Sequence, residues 1–161
     1  MEDDEVREHR AEARSSDAFG RVLCNARHHH FVIDGPVWNG CPGEALTPGE
    51  AFVAAVAACG VELVEVIAGD EELEVRGVEV TIEGVVDKEN PVPEDVTVFN
   101  RVRIDYEIAG VSQQQAAGLV EGVKGRCPLY GAVAASTPDV KVKVRAPMAG
   151  GAASGGLVEA A

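Results

Sequence analysis

Apolar residues follow one another almost without interruption from Ala51 to Val61, and no charged residue falls among them. This run lies inside residues 47–68, where the spacing predicts a long helix. Thr47 can accept from the free N–H groups of a first turn, Pro48 suits the first helical position, and Glu50 completes a T-x-x-E capping box. A helix that is apolar all round belongs in a core, so this one is expected to be buried over most of its length. Gly69 is the expected stop. Its small residues, Ala54, Ala55, Ala57, Ala58 and Gly60, allow close approach of other backbones around Cys59.

The rest of the chain alternates. Residues 21–27 and 29–34 read as two short strands forming a hairpin with its bend near Arg27 and His28. A Gly- and Pro-punctuated loop over 35–46 contains Trp38 and Cys41. Beyond the helix, Val78, Val80 and Ile82 alternate with Glu79, Thr81 and Glu83. Val102, Ile104, Tyr106 and Ile108 then alternate with Arg101, Arg103, Asp105 and Glu107. Each is the pattern of a strand with one buried face. That second strand is expected to begin near Val96, with an interruption at Phe99 and Asn100 such as a bulge or a partner contact produces. Ser112 and Gln115 form another capping box, opening a helix to about Lys124. A short helix follows from Cys127-Pro128, and residues 140–145 are a last alternating strand.

The element order β-β-α-β-β-α-α-β predicts an α+β fold. Antiparallel sheets pack around a long central buried helix and a second helix. Residues 1–18 are expected to be an acidic arm, frayed or briefly helical. Residues 19–146 form the folded domain, and 147–161, rich in Gly and Ala, form a disordered tail.

Charge narrows the partners. Fourteen Lys and Arg face 27 Asp and Glu, a formal charge of −13. Such a field repels phosphate backbones, so nucleic acid is not an expected partner. The uncharged part of the central helix is short for a bilayer span, and the N-terminus lacks a signal-peptide core. A cytoplasmic location without membrane association is the expectation.

Four cysteines, Cys24, Cys41, Cys59 and Cys127, include no C-x-x-C pair, so ribbon-type zinc and thioredoxin-type motifs are absent. A buried cysteine such as Cys59 is commonly just a small apolar filler, and burial raises a thiol pKa. Cys127 opens a helix just after Lys124 and Arg126, and both the helix terminus and the cations favour a thiolate. On local sequence alone Cys127 is the more acidic of the two. His28, His29 and His30 could bind metal with Cys24 or Cys41, but alternation along a strand splits the three between two faces, and no native metal site is expected.

Several pieces share a resemblance: the hairpin ending in Phe31-Val32-Ile33-Asp34-Gly35-Pro36, P-x-E followed by A-A-C over 48–59, Arg126-Cys127-Pro128, and the 140–145 strand. Together, over roughly residues 19–146, they resemble the OsmC/Ohr family, the osmotically inducible and organic-hydroperoxide-resistance proteins. The resemblance implies an intertwined homodimer and a thiol peroxidase that needs no metal, flavin or other cofactor. It implies that Cys59 is the peroxidatic nucleophile and Cys127 the resolving thiol, that an organic hydroperoxide is the substrate, and that a dithiol, lipoyl-type in the best-known branch, is the reductant. It further implies an arginine from the first hairpin beside the thiolate, held by a glutamate of the central helix. Arg27 is the first positional match and Arg21 the second; Glu50 is the corresponding glutamate. The peroxidase branch carries that glutamate one place earlier, where this chain has Gly49. An OsmC-like stress-associated or small-molecule-binding dimer with little turnover is therefore the alternative.

Overall fold

The computed structural model describes residues 6–92 and 97–147. The chain divides into two compact units, Met1–Phe52 and Val53–Ala161.

The first unit is built on a three-stranded antiparallel sheet, β1 (Glu12–Ser15), β2 (Arg21–Ala26) and β3 (His29–Asp34), in that spatial order. The expected hairpin is β2–β3. Its two-residue bend holds Arg27 at φ 54°, a conformation uncommon outside glycine. β1 corrects the expectation of a frayed arm or short helix before residue 18. Its four residues are all exposed and show no apolar face. Main-chain pairing to β2 holds this strand, helped by Asn25 Nδ2 donating to Glu12 Oε2 at 3.5 Å, and its charged residues Glu12 and Arg14 suit a sheet edge.

Arg21 and Asp34 are paired across β2 and β3. Asp34 is fully buried, and Arg21 grips it with two hydrogen bonds, Nε to Oδ1 at 2.9 Å and a second nitrogen to Oδ2 at 2.8 Å. The Asp34 carboxylate also accepts from the backbone N–H of Glu44 (3.0 Å) and Ala45 (3.1 Å), and the Glu44 carboxylate returns to Arg21 at 2.6 Å. This knot fastens the 35–46 loop to the sheet. Cys41 is the loop's inward anchor. A Cβ on Gly20 would stand 2.2 Å from its sulfur and one on Gly35 2.4 Å, so its thiol fills the room both glycines leave. Trp38, in a 3₁₀ turn (Val37–Asn39), is exposed.

Helix α1 (Pro48–Asp70) starts on the expected capping box. Glu50 accepts from the backbone N–H of Thr47 (2.7 Å) and from its hydroxyl (2.8 Å), and the Glu50 N–H donates to Thr47 Oγ1 (3.3 Å). The helix ends one residue beyond Gly69, and the stop is not a glycine. Leu73 N–H reaches Ala68 O at 2.8 Å, Glu72 N–H reaches Gly69 O at 3.3 Å, and Glu72 takes φ 55°. That is a Schellman closure with a glutamate at the left-handed position.

The second unit holds a three-stranded mixed sheet, β4 (Gly77–Val85), β5 (Arg101–Ala109) and β6 (Asp139–Arg145), with β5 in the middle. β4 and β5 are antiparallel as expected, but β6 joins β5 in parallel, a correction to the all-antiparallel expectation. A parallel pair needs a long crossover, and α2 (Gln113–Arg126) with α3 (Pro128–Ser136) supplies it. α2 begins on the Ser112–Gln115 capping box. The Gln113 side chain fastens α2 to the sheet edge, donating to Val144 O and accepting from Ala146 N, each at 2.9 Å.

β5 begins at Arg101, later than the sequence pattern suggests, and residues 93–96 lie outside the described residues. The interruption before it has a structural cause. Asn100 accepts from Asp87 N at 2.6 Å and donates to Asn90 O at 2.7 Å, while Phe99 covers Gly84, where a Cβ would meet its ring at 2.7 Å. Of the expected tail over 147–161, all but Pro147 likewise lies outside the described residues.

The core of this unit joins Val102, Ile104, Tyr106 and Ile108 of β5 with Ala116, Leu119, Val120 and Val123 of α2, and with α1. From α1 it takes one stripe, Val56, Gly60, Val64, Ile67 and Ala68. The helix is therefore not buried over most of its length within one chain. By length and composition alone it could cross a membrane, but its buried stripe is seated on β5 and α2, as a core helix is. Val66, on the other side, stays 45 % exposed.

Candidate functional site

Cys59 and Cys127 are 68 positions apart, yet their sulfurs meet at 2.7 Å, with the Cys127 thiol donating to Cys59. Both are free thiols. A disulfide spans about 2.05 Å, so closure needs the sulfurs to approach by only about 0.7 Å. Each is placed by simple local causes. Cys59 lies on α1 one residue before Gly60 of the buried stripe. Cys127 stands where two helices meet: its N–H closes α2 on Val123 O (2.8 Å), and its sulfur caps α3 by accepting from Tyr130 N–H at 3.3 Å. Pro128 at the first position of α3 fixes the turn. The helix-terminus argument for Cys127 thus has a definite donor. Cys127 is 4 % exposed, while Cys59 is half-buried.

The surroundings of Cys59 keep it protonated within this unit. Burial pushes its thiol up to about 12, with the hydrogen bond to Cys127, the charge of Cys127 and the charge of Glu62 all acting in the same direction. Glu62, one turn along α1, is an acidic neighbour that the sequence reading did not weigh. Nor did that reading single out Tyr106. Its ring is buried, its hydroxyl packs on Gly60, and its pKa is raised to about 12 by burial first and then by the charges of Cys127, Cys59 and Tyr130. The signal was available: Tyr106 is the one oxygen-bearing side chain in the aliphatic row of β5.

The remaining expected site residues lie in the first unit. Arg27 sits exposed at the β2–β3 bend. Arg21 is engaged by Asp34 and Glu44, which raise its pKa further. Glu50 spends its carboxylate on Thr47, which holds it below the usual carboxylate range, and it pairs with no arginine among the described residues. His29 and His30 are exposed on β3, Cys24 pairs opposite Phe31, and no cluster of three metal-binding side chains occurs among the described residues.

Known proteins share this architecture. The sequence profile of the OsmC-like protein family matches residues 41–143. An OsmC-like protein from Mycoplasma pneumoniae superposes with a TM-score of 0.74 at 14 % identity, covering 89 % of this chain and 99 % of its own. An organic hydroperoxide resistance protein from Elizabethkingia anophelis gives 0.73 at 17 % identity, covering 89 % and 99 %. Another, from Legionella pneumophila, gives 0.69 at 23 % identity, covering 87 % and 98 %. No curated protein matches the sequence. The profile spans well over half of the chain and includes both cysteines of the contact pair, and the fold agrees with it: the chain belongs to the OsmC-like family.

Proposed function

We propose that this protein is a cysteine-based hydroperoxide reductase. The observation that carries the reading is the 2.7 Å contact between Cys59 and Cys127. The Cys59 thiolate attacks the distal oxygen of an organic hydroperoxide. The O–O bond breaks, Cys59 becomes a sulfenic acid, and the alkoxide leaves as the alcohol once protonated. Cys127 then condenses with the sulfenic acid, forming the disulfide and releasing water. A dithiol reductant, lipoyl-type by family resemblance, restores both thiols. Apolar neighbours such as Val56 and Leu63 suit a lipid-like peroxide.

Two requirements follow. The first is a cation, because a thiol raised to about 12 is almost wholly protonated at neutral pH. Arg27 is assigned that role in preference to Arg21, whose charge is already met by two carboxylates. The second is a partner. The apolar outer side of α1 calls for cover, and a homodimer supplies it. Action in the cytoplasm belongs to the same reading.

A second reading, a binding or stress-associated dimer with little turnover, is favoured by one observation: the charges acting on Cys59 within its own unit are negative. Intact mass after one equivalent of cumene hydroperoxide separates the two. The reductase loses two hydrogen atoms per chain through the Cys59–Cys127 disulfide. Cys59→Ser abolishes that loss, and Cys127→Ser leaves Cys59 as a sulfenic or overoxidised acid. A wild-type protein that stays fully reduced decides for the binding reading.

A further inference from the structure

Joining Cys59 to Cys127 removes the thiol proton that lies between them, and each sulfur is left with its remaining neighbours. Those neighbours differ. Cys127 keeps the main-chain N–H of Tyr130, which points at its sulfur from 3.3 Å. That N–H belongs to the first turn of α3, where the helix has no acceptor of its own to offer it. A negative charge on the Cys127 sulfur strengthens this bond and meets the positive end of the α3 dipole. Cys59 has no such donor: among the described residues its sulfur accepts only from the Cys127 thiol. Glu62 stands one turn along the same helix, and its charge, together with burial, opposes an anion on Cys59. Access differs in the same sense. Cys127 is 4 % exposed, whereas Cys59 is half-buried and open to an incoming group.

We infer that reduction of the Cys59–Cys127 disulfide runs one way: the reductant joins Cys59 and expels Cys127 as a thiolate held by the Tyr130 N–H. The inference rests on the reductase reading for its place in a cycle. A thiolate of the dithiol reductant gives its electron pair to the Cys59 sulfur. The S–S bond breaks, and Cys127 leaves with the bonding pair and then takes up a proton. A mixed disulfide now joins Cys59 to the reductant. The second thiol of the reductant attacks its own sulfur in that bond, and Cys59 leaves with the proton. The dithiol departs as a disulfide, and its two electrons have reduced both protein sulfurs. The Tyr130 N–H touches a reacting atom throughout, which makes it a catalytic group supplied by the main chain.

The test starts from protein whose Cys59–Cys127 disulfide is formed with diamide and verified by peptide mass, so that it does not depend on peroxide. One equivalent of 2-mercaptoethanol is added, and freed thiols are trapped at once with N-ethylmaleimide. We expect the mercaptoethanol on Cys59 and the maleimide on Cys127, in at least about tenfold excess over the reverse. Tyr130→Pro removes the N–H at a first-turn position that α3 does not need for its own ladder. In that variant reduction slows by about tenfold, and a share of the mercaptoethanol moves to Cys127. Should the variant fail to fold, the adduct position in the wild type decides alone. Mercaptoethanol found mainly on Cys127, or equally on both cysteines, would overturn the inference, as would failure of diamide to join the pair. An unchanged rate and partition in a folded Tyr130→Pro protein would remove the N–H from the reaction. If cumene hydroperoxide leaves the wild type reduced, the reductase reading fails, while the diamide-formed disulfide still reports which sulfur is attacked.

Discussion

The tip of Tyr106 occupies the space in which a side chain on Gly60 would stand. The phenol oxygen lies 2.7 Å, and two ring carbons 3.3 Å, from the position of that missing Cβ. The contact joins β5 to α1 beside Cys59, so it sets how closely the helix bearing the first thiol can lie on the sheet. Gly60→Ala places a methyl group inside that contact. We expect a loss of about 1–3 kcal/mol from overpacking, read by denaturant unfolding, together with slower disulfide closure. Retained stability and an unchanged closure rate would show that the contact is not tight.

Asp34 gives the first unit a defined acid sensitivity. Its carboxyl is held down to about 2, first by the Arg21 hydrogen bonds and then by the backbone donors of Glu44 and Ala45, against burial. A carboxylate with a depressed folded pKa contributes stability that is complete above its ordinary value near 4 and is lost as pH falls toward 2. Thermal unfolding should show this loss over the range from about pH 4 to 2, and Asp34→Asn should flatten it while lowering stability at pH 7. A wild-type profile that is flat across that range would count against the knot.

The two hairpin arginines should part company. Arg21→Gln leaves Asp34 buried with half of its partners gone, and we expect a lower melting temperature. Arg27→Gln touches no ion pair among the described residues, so we expect unchanged melting but slower alkylation of Cys59 by iodoacetamide at pH 7, with the pH midpoint of that reaction moved upward. Parallel alkylation profiles for wild type and Arg27→Gln would remove Arg27 from the site.

Glu72 closes α1 in a conformation that disfavours any residue with a side chain. Glu72→Gly should raise stability by up to about 1 kcal/mol, and chemical denaturation reads this directly. A destabilised variant would mean that the glutamate side chain contributes more than its backbone strain costs.

Much of this architecture is legible from local rules. Capping boxes at Thr47–Glu50 and Ser112–Gln115 mark helix starts, and strict alternation marks β4, β5 and β6, because caps and periodicity are short-range physics. What escapes is what depends on distant neighbours. β1 has no apolar face to announce it and exists through pairing with β2. The parallel union of β6 with β5 follows from how the helices cross, which no strand pattern records. The continuous apolar run of α1 reads as full burial, but within one chain a single stripe is covered. For the site, the family resemblance singled out Cys59 and Cys127 together, while Glu62 and Tyr106 were hidden. Only their spatial closeness to sulfur makes an ordinary helix glutamate and an ordinary strand tyrosine notable.

The parallel pairing also constrains the order of folding. Arg101 and Asp139 face each other in the ladder with two helices of chain between them, whereas β4 and β5 pair as near neighbours. Closing the longer loop sacrifices more chain freedom before any contact repays it. The sixth strand should thus dock late, once α2 and α3 have wound into place. Cys127 rides on that same crossover, so a nascent chain in which its last strand is still unplaced would lack a fixed station for the second sulfur.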